Sequence, residues 1–400
     1  MGKKSQIRRM LCYAFISPAK SGIAAGSGVR MMAVIVRLAI AWATVALFLI
    51  FGESWLSDLS SPLIATALFI WLLAVIVWCA SGVVEEADHL AEILGEPLGT
   101  LVLTLSIVIV EVVLIAAVIF GTESASTLGR DTMFAVLMIV LNGVVGLALV
   151  LGGLRHHEQS YNLQGAVAYL AVIIPLAVIA LILPNFTTAE PIGSLTTAQA
   201  VFFSLFTVAL YGIFLAIQTG RHRDFFVISE QATQPTGSES AQEGEHGSKA
   251  GAIGMHTFLL VITMLPIVLL AKKLATLIDH GIVVLGAPPA LGGVLIALIV
   301  FAPEAVTALR AALSNQLQKS INLCLGASAS TIGLTVPAIL GVGLVTGKTM
   351  VLGLDPTGMT LLALTLVLSL LTFSGPRTTV LEGAVHLVVF FVYVVLIFSP

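Results

Sequence analysis

The sequence predicts an all-α polytopic membrane protein, with about eleven spans of the roughly 20 apolar residues that a crossing needs. Three observations lead there. Hydrophobic residues make up 58% of the 400 residues and charged residues only 10%, against about 25% charged in a soluble domain. So few charges cannot clothe a water-facing surface, which leaves lipid as the natural solvent. Apolar runs of spanning length also recur along the whole chain, separated by short polar segments. The net charge of −3 gives no reason to expect a nucleic-acid partner.

Residues 1–30 carry Lys3, Lys4, Arg8, Arg9, Lys20 and Arg30 among Gly, Ser and Ala. They read as an irregular cytoplasmic tail, with Met31 or Met32 as an alternative start. The apolar run from Leu38 to Phe51 has no small-residue cleavage site, so 31–57 is predicted to be a retained extra N-terminal helix. The candidate spans are 33–52, 62–84, 98–120, 132–153, 163–184, 198–218, 254–272, 289–313, 320–345, 357–374 and 378–398. The seventh can run on to Gly286 as a long tilted helix. Between the halves 58–218 and 254–400 lies 219–253, which holds Asp224, Glu230, Glu239, Glu243 and Glu245 among Gln, Ser, Thr and Gly. It is too polar to bury a core and is expected to be a mobile, acidic cytoplasmic linker.

Lys and Arg set the orientation. Arg155, Arg221, Arg223, Lys319 and Arg377 fall in loops on the side of the basic N-terminus, while Glu53, Asp58 and Glu190 dominate the other side. Arg130, Lys272, Lys273 and Lys348 are exceptions. The expected topology in the inner membrane has the N-terminus in the cytoplasm and the C-terminus outside. Cys12, Cys79 and Cys324 are far apart and form neither a disulfide framework nor a zinc pattern.

The halves echo one another. Gly95-Glu96-Pro97-Leu98-Gly99 opens a helix that reaches Glu111; Gly286-Ala287-Pro288-Pro289, then Gly292, opens one that reaches Glu304. Both Gly-to-Glu separations are twelve residues. The helices after them carry polar spots, Asn142 in one and Ser328, Ser330 and Thr331 in the other. One acid helix starts from inside and its counterpart from outside, which is the plan of an inverted repeat with an ion site at its interface.

A carboxylate inside a span costs about 2.5–3.5 kcal/mol on insertion scales, so it faces a cavity or a partner. Desolvation disfavours its charge, which lets such a group exchange a proton for a cation near neutral pH. Two of them match one divalent ion or two protons. Ca2+ takes about six to eight oxygens, so further ligands are sought in Thr104, Ser106, Asn142, Ser328, Ser330, Thr331 and backbone carbonyls. Each hydroxyl taken alone is more often helix-packing glue. Pro303 removes a helix hydrogen bond and frees the carbonyl of Ile299.

Glu382 and His386 share a face of the last span, and either tune the site or make structural contacts. Arg37 reads as a snorkelling or packing cation; His156, His157, His222 and His246 read as solvated. Glu85, Asp88, Glu92 and Glu96 line one face of a short cytoplasmic helix, which either gathers cations or is simply solvated. An intramembrane hydrolase would need a motif such as HExxH or Gly-x-Ser-Gly, and the chain has Gly326-Ala327-Ser328-Ala329 instead. A passive channel remains a third class, disfavoured by paired acids in a two-fold repeat. No cofactor is expected; lipid, inorganic cations and protons are the partners.

GEPLGTLVLTLSIVIVE around Glu111, RDTMFAVLMIVLNGVVGL around Asn142, APEAVTALRAALSNQLQKSINLCLGASASTIGLTVP around Glu304 and TVLEGAVHL around Glu382 resemble the cation/Ca2+ exchanger superfamily. They are most similar to its bacterial Ca2+/H+ antiporters of the ChaA type. The resemblance runs from about Ser81 to the C-terminus. It implies one extra helix followed by two inverted five-helix repeats, with Glu111 and Glu304 as ion-binding acids and Asn142 and Ser330 beside them. The implied activity is export of Ca2+ in exchange for protons. Related exchangers often carry Gly-Asn shortly before each acid, where this chain has Val108-Ile109 and Phe301-Ala302. Fewer side-chain oxygens leave Na+ or K+ as an alternative cargo.

Overall fold

A computed structural model of the chain describes residues 26–95, 98–121, 125–220, 223–226 and 246–399. The first half holds α1 (Gly26–Ile50), the short α2 (Gly52–Ser57), α3 (Pro62–Leu94), α4 (Leu98–Gly121), α5 (Leu128–His156), α6 (Leu163–Leu181) and α7 (Thr197–Thr219). The second holds α8 (His246–Leu285), α9 (Ala290–Leu313), α10 (Leu317–Thr346), α11 (Pro356–Thr372) and α12 (Val380–Phe398). Among the described residues, nine helices are long and apolar enough to cross a membrane, and Thr104–Ala117 within α4 and α11 are shorter apolar helices. These eleven stand where the apolar runs predict spans.

Local chemistry sets the ends. Pro62 begins α3, where a missing N–H is harmless. The Asn162 side chain accepts from the N–H groups of Gln164 and Gly165 to cap α6. Thr196 with Gln199 and Thr379 with Glu382 form capping boxes on α7 and α12. Gly347, at φ 70°, follows α10 in the left-handed conformation that glycine tolerates best.

Two elements extend past their predicted limits. α3 does not stop near 84 to leave a separate acidic helix; it continues as one rod of 33 residues to Leu94, carrying Glu85, Asp88 and Glu92. No Gly or Pro interrupts it after Gly82 until Gly95. α8 is 40 residues long, so positions 246–253 of the expected linker are helical, and it runs on to Leu285. Residues 1–25, 227–245 and Glu96 lie outside the described residues.

Arg37 is 4% exposed and does not snorkel: its Nη1 donates to Glu85 at 2.8 Å. Gly82 makes room for it, since a Cβ there would lie 2.3 Å from the Arg37 guanidinium carbon. His156 is likewise held, with Nε2 2.9 Å from the Leu313 carbonyl oxygen.

α5 occupies the centre of the bundle. Gly293 lets α9 cross it, because a Cβ there would meet the Thr132 backbone nitrogen at 2.7 Å. Gly383 lets α12 approach, since its Cβ would meet the Gly146 carbonyl oxygen at 2.7 Å. A two-residue antiparallel pairing, β1 (Gln159–Ser160) with β2 (Arg377–Thr378), ties the end of α5 to the start of α12.

Both helices that follow an acid helix widen to π-helix, at Met138–Val144 in α5 and Thr331–Thr335 in α10. In α10 the cause is legible: Pro337 has no N–H and its ring crowds the carbonyl four residues earlier. A π-turn shifts the faces of everything beyond it, and such turns gather at functional sites. The halves interlock as inverted repeats. The acid of α4 reaches the π-segment of α10, and the acid of α9 lies beside that of α5.

Candidate ion-binding site

Glu111 is fully buried. Its Oε2 accepts hydrogen bonds from Thr331 Oγ1 at 3.2 Å and Thr335 Oγ1 at 3.0 Å. Both hydroxyls come from the other half of the chain, one turn apart on one face of the α10 π-segment. Its Oε1 is buried without a partner. A carboxylate with two hydroxyls beside it and an oxygen left over, inside an apolar helix, gathers oxygens of the kind that can coordinate a cation.

Glu304 is 7% exposed, and both of its carboxyl oxygens are buried with no hydrogen bond from another residue. A small cavity lies against it, walled by Val140, Val144, Phe301, Ala305, Leu323, Cys324 and Ala327. Val140 and Val144 stand one turn apart on the α5 π-segment, as the two threonines do on α10.

The remaining predicted ligands divide by local geometry. Ser106 donates to the Val102 carbonyl at 2.7 Å, Ser328 to Cys324 at 3.0 Å and Ser330 to Ala327 at 3.0 Å. Each hydroxyl is thus satisfied by its own helix, a common fate of serine there. Thr104 is hydrogen-bonded to the Tyr211 hydroxyl on α7. Of the named hydroxyls, the structure brings Thr331 alone to an acid.

Asn142 is fully buried but bonds to neither glutamate. Its Nδ2 donates to Thr365 Oγ1 at 2.8 Å, and its Oδ1 lies 3.0 Å from His386 Nδ1. His386 Nε2 in turn lies 3.0 Å from Thr372 Oγ1. This chain fastens α11 and α12 onto α5. It faces away from Glu304 because Asn142 is two residues from both Val140 and Val144, on the other side of the helix. Glu382 accepts from the Thr379 backbone N–H at 2.9 Å and from the Thr379 hydroxyl, so its carboxylate caps α12. Sequence reasoning missed Thr335, although its spacing from Thr331 placed both on one face.

The sodium/calcium exchanger protein family matches residues 64–220 and 255–399, both halves of the inverted repeat. The chain belongs to the sodium/calcium exchanger family. Within it, the chain is similar to the sodium-potassium/proton antiporter ChaA of Escherichia coli (strain K12), 37% identical over 359 residues that cover 89% of this chain and 94% of that one. It is also similar to the putative ionic transporter y4hA of Sinorhizobium fredii (strain NBRC 101917 / NGR234), 42% identical over 318 residues, 79% of this chain and 84% of that one. In fold it resembles the solved structure of the Ca2+/H+ antiporter protein YfkE, with a TM-score of 0.67, 14% identity and coverage of 91% and 100% of the two chains. Membership makes this exchanger a multi-pass membrane transporter and a secondary antiporter rather than an enzyme.

Proposed function

We propose that this exchanger exports Ca2+ in exchange for protons by alternating access, with cation and protons competing for Glu111 and Glu304. The observation that carries the reading is the Glu111 carboxylate, buried at the crossing of the two repeats and held by Thr331 and Thr335 of the opposite half. Rocking one repeat against the other changes that contact directly, so ion occupancy and conformation are coupled at one place. Cation binding requires ionised carboxylates, so protons on the same groups compete with it. As pH falls, more carboxyl groups are protonated and cation affinity weakens; as pH rises, transport increases.

Na+ or K+ is the second reading of the cargo. One observation favours it: the oxygens gathered at Glu111 by hydrogen bonding are one carboxylate and two hydroxyls, few for an ion that takes about six to eight ligands. The name of ChaA, a sodium-potassium/proton antiporter, points the same way.

The orientation that fits the Lys and Arg distribution has the N-terminus and the 219–253 segment in the cytoplasm and the C-terminus outside the inner membrane. Everted vesicles given Ca2+, Na+ or K+ in the outer medium test both cargo and mechanism. The chain should dissipate an imposed proton gradient when the cargo ion is added, and Glu111→Gln and Glu304→Gln should each abolish that response while still inserting. Near-wild-type exchange in either inserted variant rejects the assignment.

A further inference from the structure

Glu111 meets Thr331 and Thr335 across the gap between two helices, α4 and the π-segment of α10. The width of that gap depends on what stands behind the helices, and one side chain touches both. Tyr211 on α7 is 5% exposed. Its hydroxyl is hydrogen-bonded to Thr104, which precedes Glu111 on α4 by seven residues, close to two turns of one face. Its ring covers Gly333, the buried residue midway between Thr331 and Thr335. In a π-helix two residues turn the chain by nearly half a revolution. Gly333 therefore faces α7 while the two threonines face Glu111.

This contact has no slack. A Cβ on Gly333 would lie 2.8 Å from Tyr211 Cβ and 2.9 Å from its Cγ, well inside the separation of about 3.5–4.0 Å at which carbon atoms pack. The ring is backed in turn: Phe214 lies 6.3 Å away between centroids, with Tyr169 and Phe226 behind Phe214. The other glycine facing this cluster is less constrained. Gly326 precedes Gly333 by seven residues, and a Cβ there would meet the Tyr169 hydroxyl at 3.6 Å, an ordinary contact.

We infer that Tyr211 is a positioning residue of the ion site. Wedged between Gly333 and Thr104, it sets the spacing between the Glu111 carboxylate and the Thr331 and Thr335 hydroxyls, and through that spacing the size of cation the site prefers. The inference rests on the ion-site reading above and adds its size selectivity. Tyr211 acts through the two helices and not as a ligand. Added bulk on the Gly333 face drives the hydroxyl face toward Glu111, because the two are opposite sides of one helix. Removing the ring lets the hydroxyls retreat. Ions of equal charge are told apart by cavity size and by the freedom of the ligands to adjust, so a narrower gap penalises a large ion more than a small one.

Calorimetry on the purified full-length chain, titrated with Ca2+, Sr2+ and Ba2+ and with Na+ and K+, reads affinity along two series of fixed charge and rising size. Gly333→Ala should weaken the larger ion of a series more than the smaller and lower the large-to-small affinity ratio by roughly three- to tenfold, the order expected when positioned groups move by about half an ångström. Tyr211→Leu, which removes the ring, should raise the same ratio. Tyr211→Phe, which loses only the bond to Thr104, should fall between Tyr211→Leu and the wild type. Gly326→Ala should leave the ratio unchanged. A role confined to stability predicts instead an equal loss of affinity for every ion, and that result would overturn the inference. So would a ratio moved in the same direction by Gly333→Ala and Tyr211→Leu, or moved as far by Gly326→Ala as by Gly333→Ala. Should Gly333→Ala fail to fold, Tyr211→Leu decides alone, and an unmoved ratio there rejects the spacing role. Wild-type protein that binds none of these ions would reject the ion-site reading itself, so the two failures are distinguishable.

Discussion

Glu111 and Glu304 occupy corresponding positions in two halves of one chain, twelve residues after corresponding glycines, and each abuts a π-segment of the other half. Two threonines meet the first and two valines meet the second. Thr and Val are nearly isosteric, so the packing of the two crossings can be alike while their electrostatics differ. An inverted repeat therefore supplies two equivalent places without obliging them to do equivalent chemistry. Four side chains, each replaceable by a residue of almost the same shape, are enough to give one acid a polar wall and the other an apolar one.

That comparison can be broken from either side. The largest effect is expected from Thr331→Val combined with Thr335→Val, which gives Glu111 the wall that Glu304 has. Hydrogen bonds to charged groups contribute about 1.5–3 kcal/mol each, and about 1.4 kcal/mol is tenfold in affinity. With both bonds lost, cation affinity should fall by roughly a hundred- to ten-thousandfold. Titration calorimetry reads the affinity. Unchanged affinity would mean that the hydroxyls merely fill space.

The reciprocal change, Val140→Thr with Val144→Thr, should act more gently. Hydroxyl donors beside Glu304 stabilise its ionised form, so the proton leaves at lower pH. The activity profile in everted vesicles should move acid-ward by about half to one pH unit, while cation affinity at alkaline pH stays nearly constant. A shift to higher pH contradicts the role given to these two walls.

The smallest effect on ion chemistry is expected at His386→Ala. That substitution leaves Asn142 Oδ1 and the Thr372 hydroxyl without their shared partner. Leaving a buried polar group unsatisfied costs about 1–3 kcal/mol, so thermal unfolding in detergent should begin earlier. Proton release and cation affinity should hardly change, because among the described residues no hydrogen bond joins this network to either acid. Loss of cation binding at unchanged stability would instead bring Asn142 back among the ion ligands, where the sequence comparison had put it.

Much of the exchanger was legible in the chain itself. Burial of backbone polar groups in lipid demands complete helices, and complete helices of spanning length are written as apolar runs, so the eleven candidates fell where the runs did. A carboxylate in such a run is expensive anywhere, so Glu111 and Glu304 stood out as candidates in the sequence, and their common spacing from a glycine exposed the repeat. The oxygen ligands were another matter. Ser106, Ser328, Ser330 and Thr331 are all hydroxyl residues in apolar helices, and composition cannot tell one that bonds its own turn from one that crosses to another helix. Which of them reaches an acid depends on how far each helix is rotated about its axis. The π-turns at Met138–Val144 and Thr331–Thr335 alter that rotation partway along the two helices that matter. Along these segments Asn142 meets His386, Val140 and Val144 line the cavity beside Glu304, and Thr335 joins Thr331 on Glu111. The sequence by itself determined the membrane helices, the paired acids and the two-fold plan, because these follow from costs each residue meets alone in lipid. Only the tertiary structure decided which oxygens face which acid, because that is a relation between helices from opposite halves of the chain, and no single helix contains it.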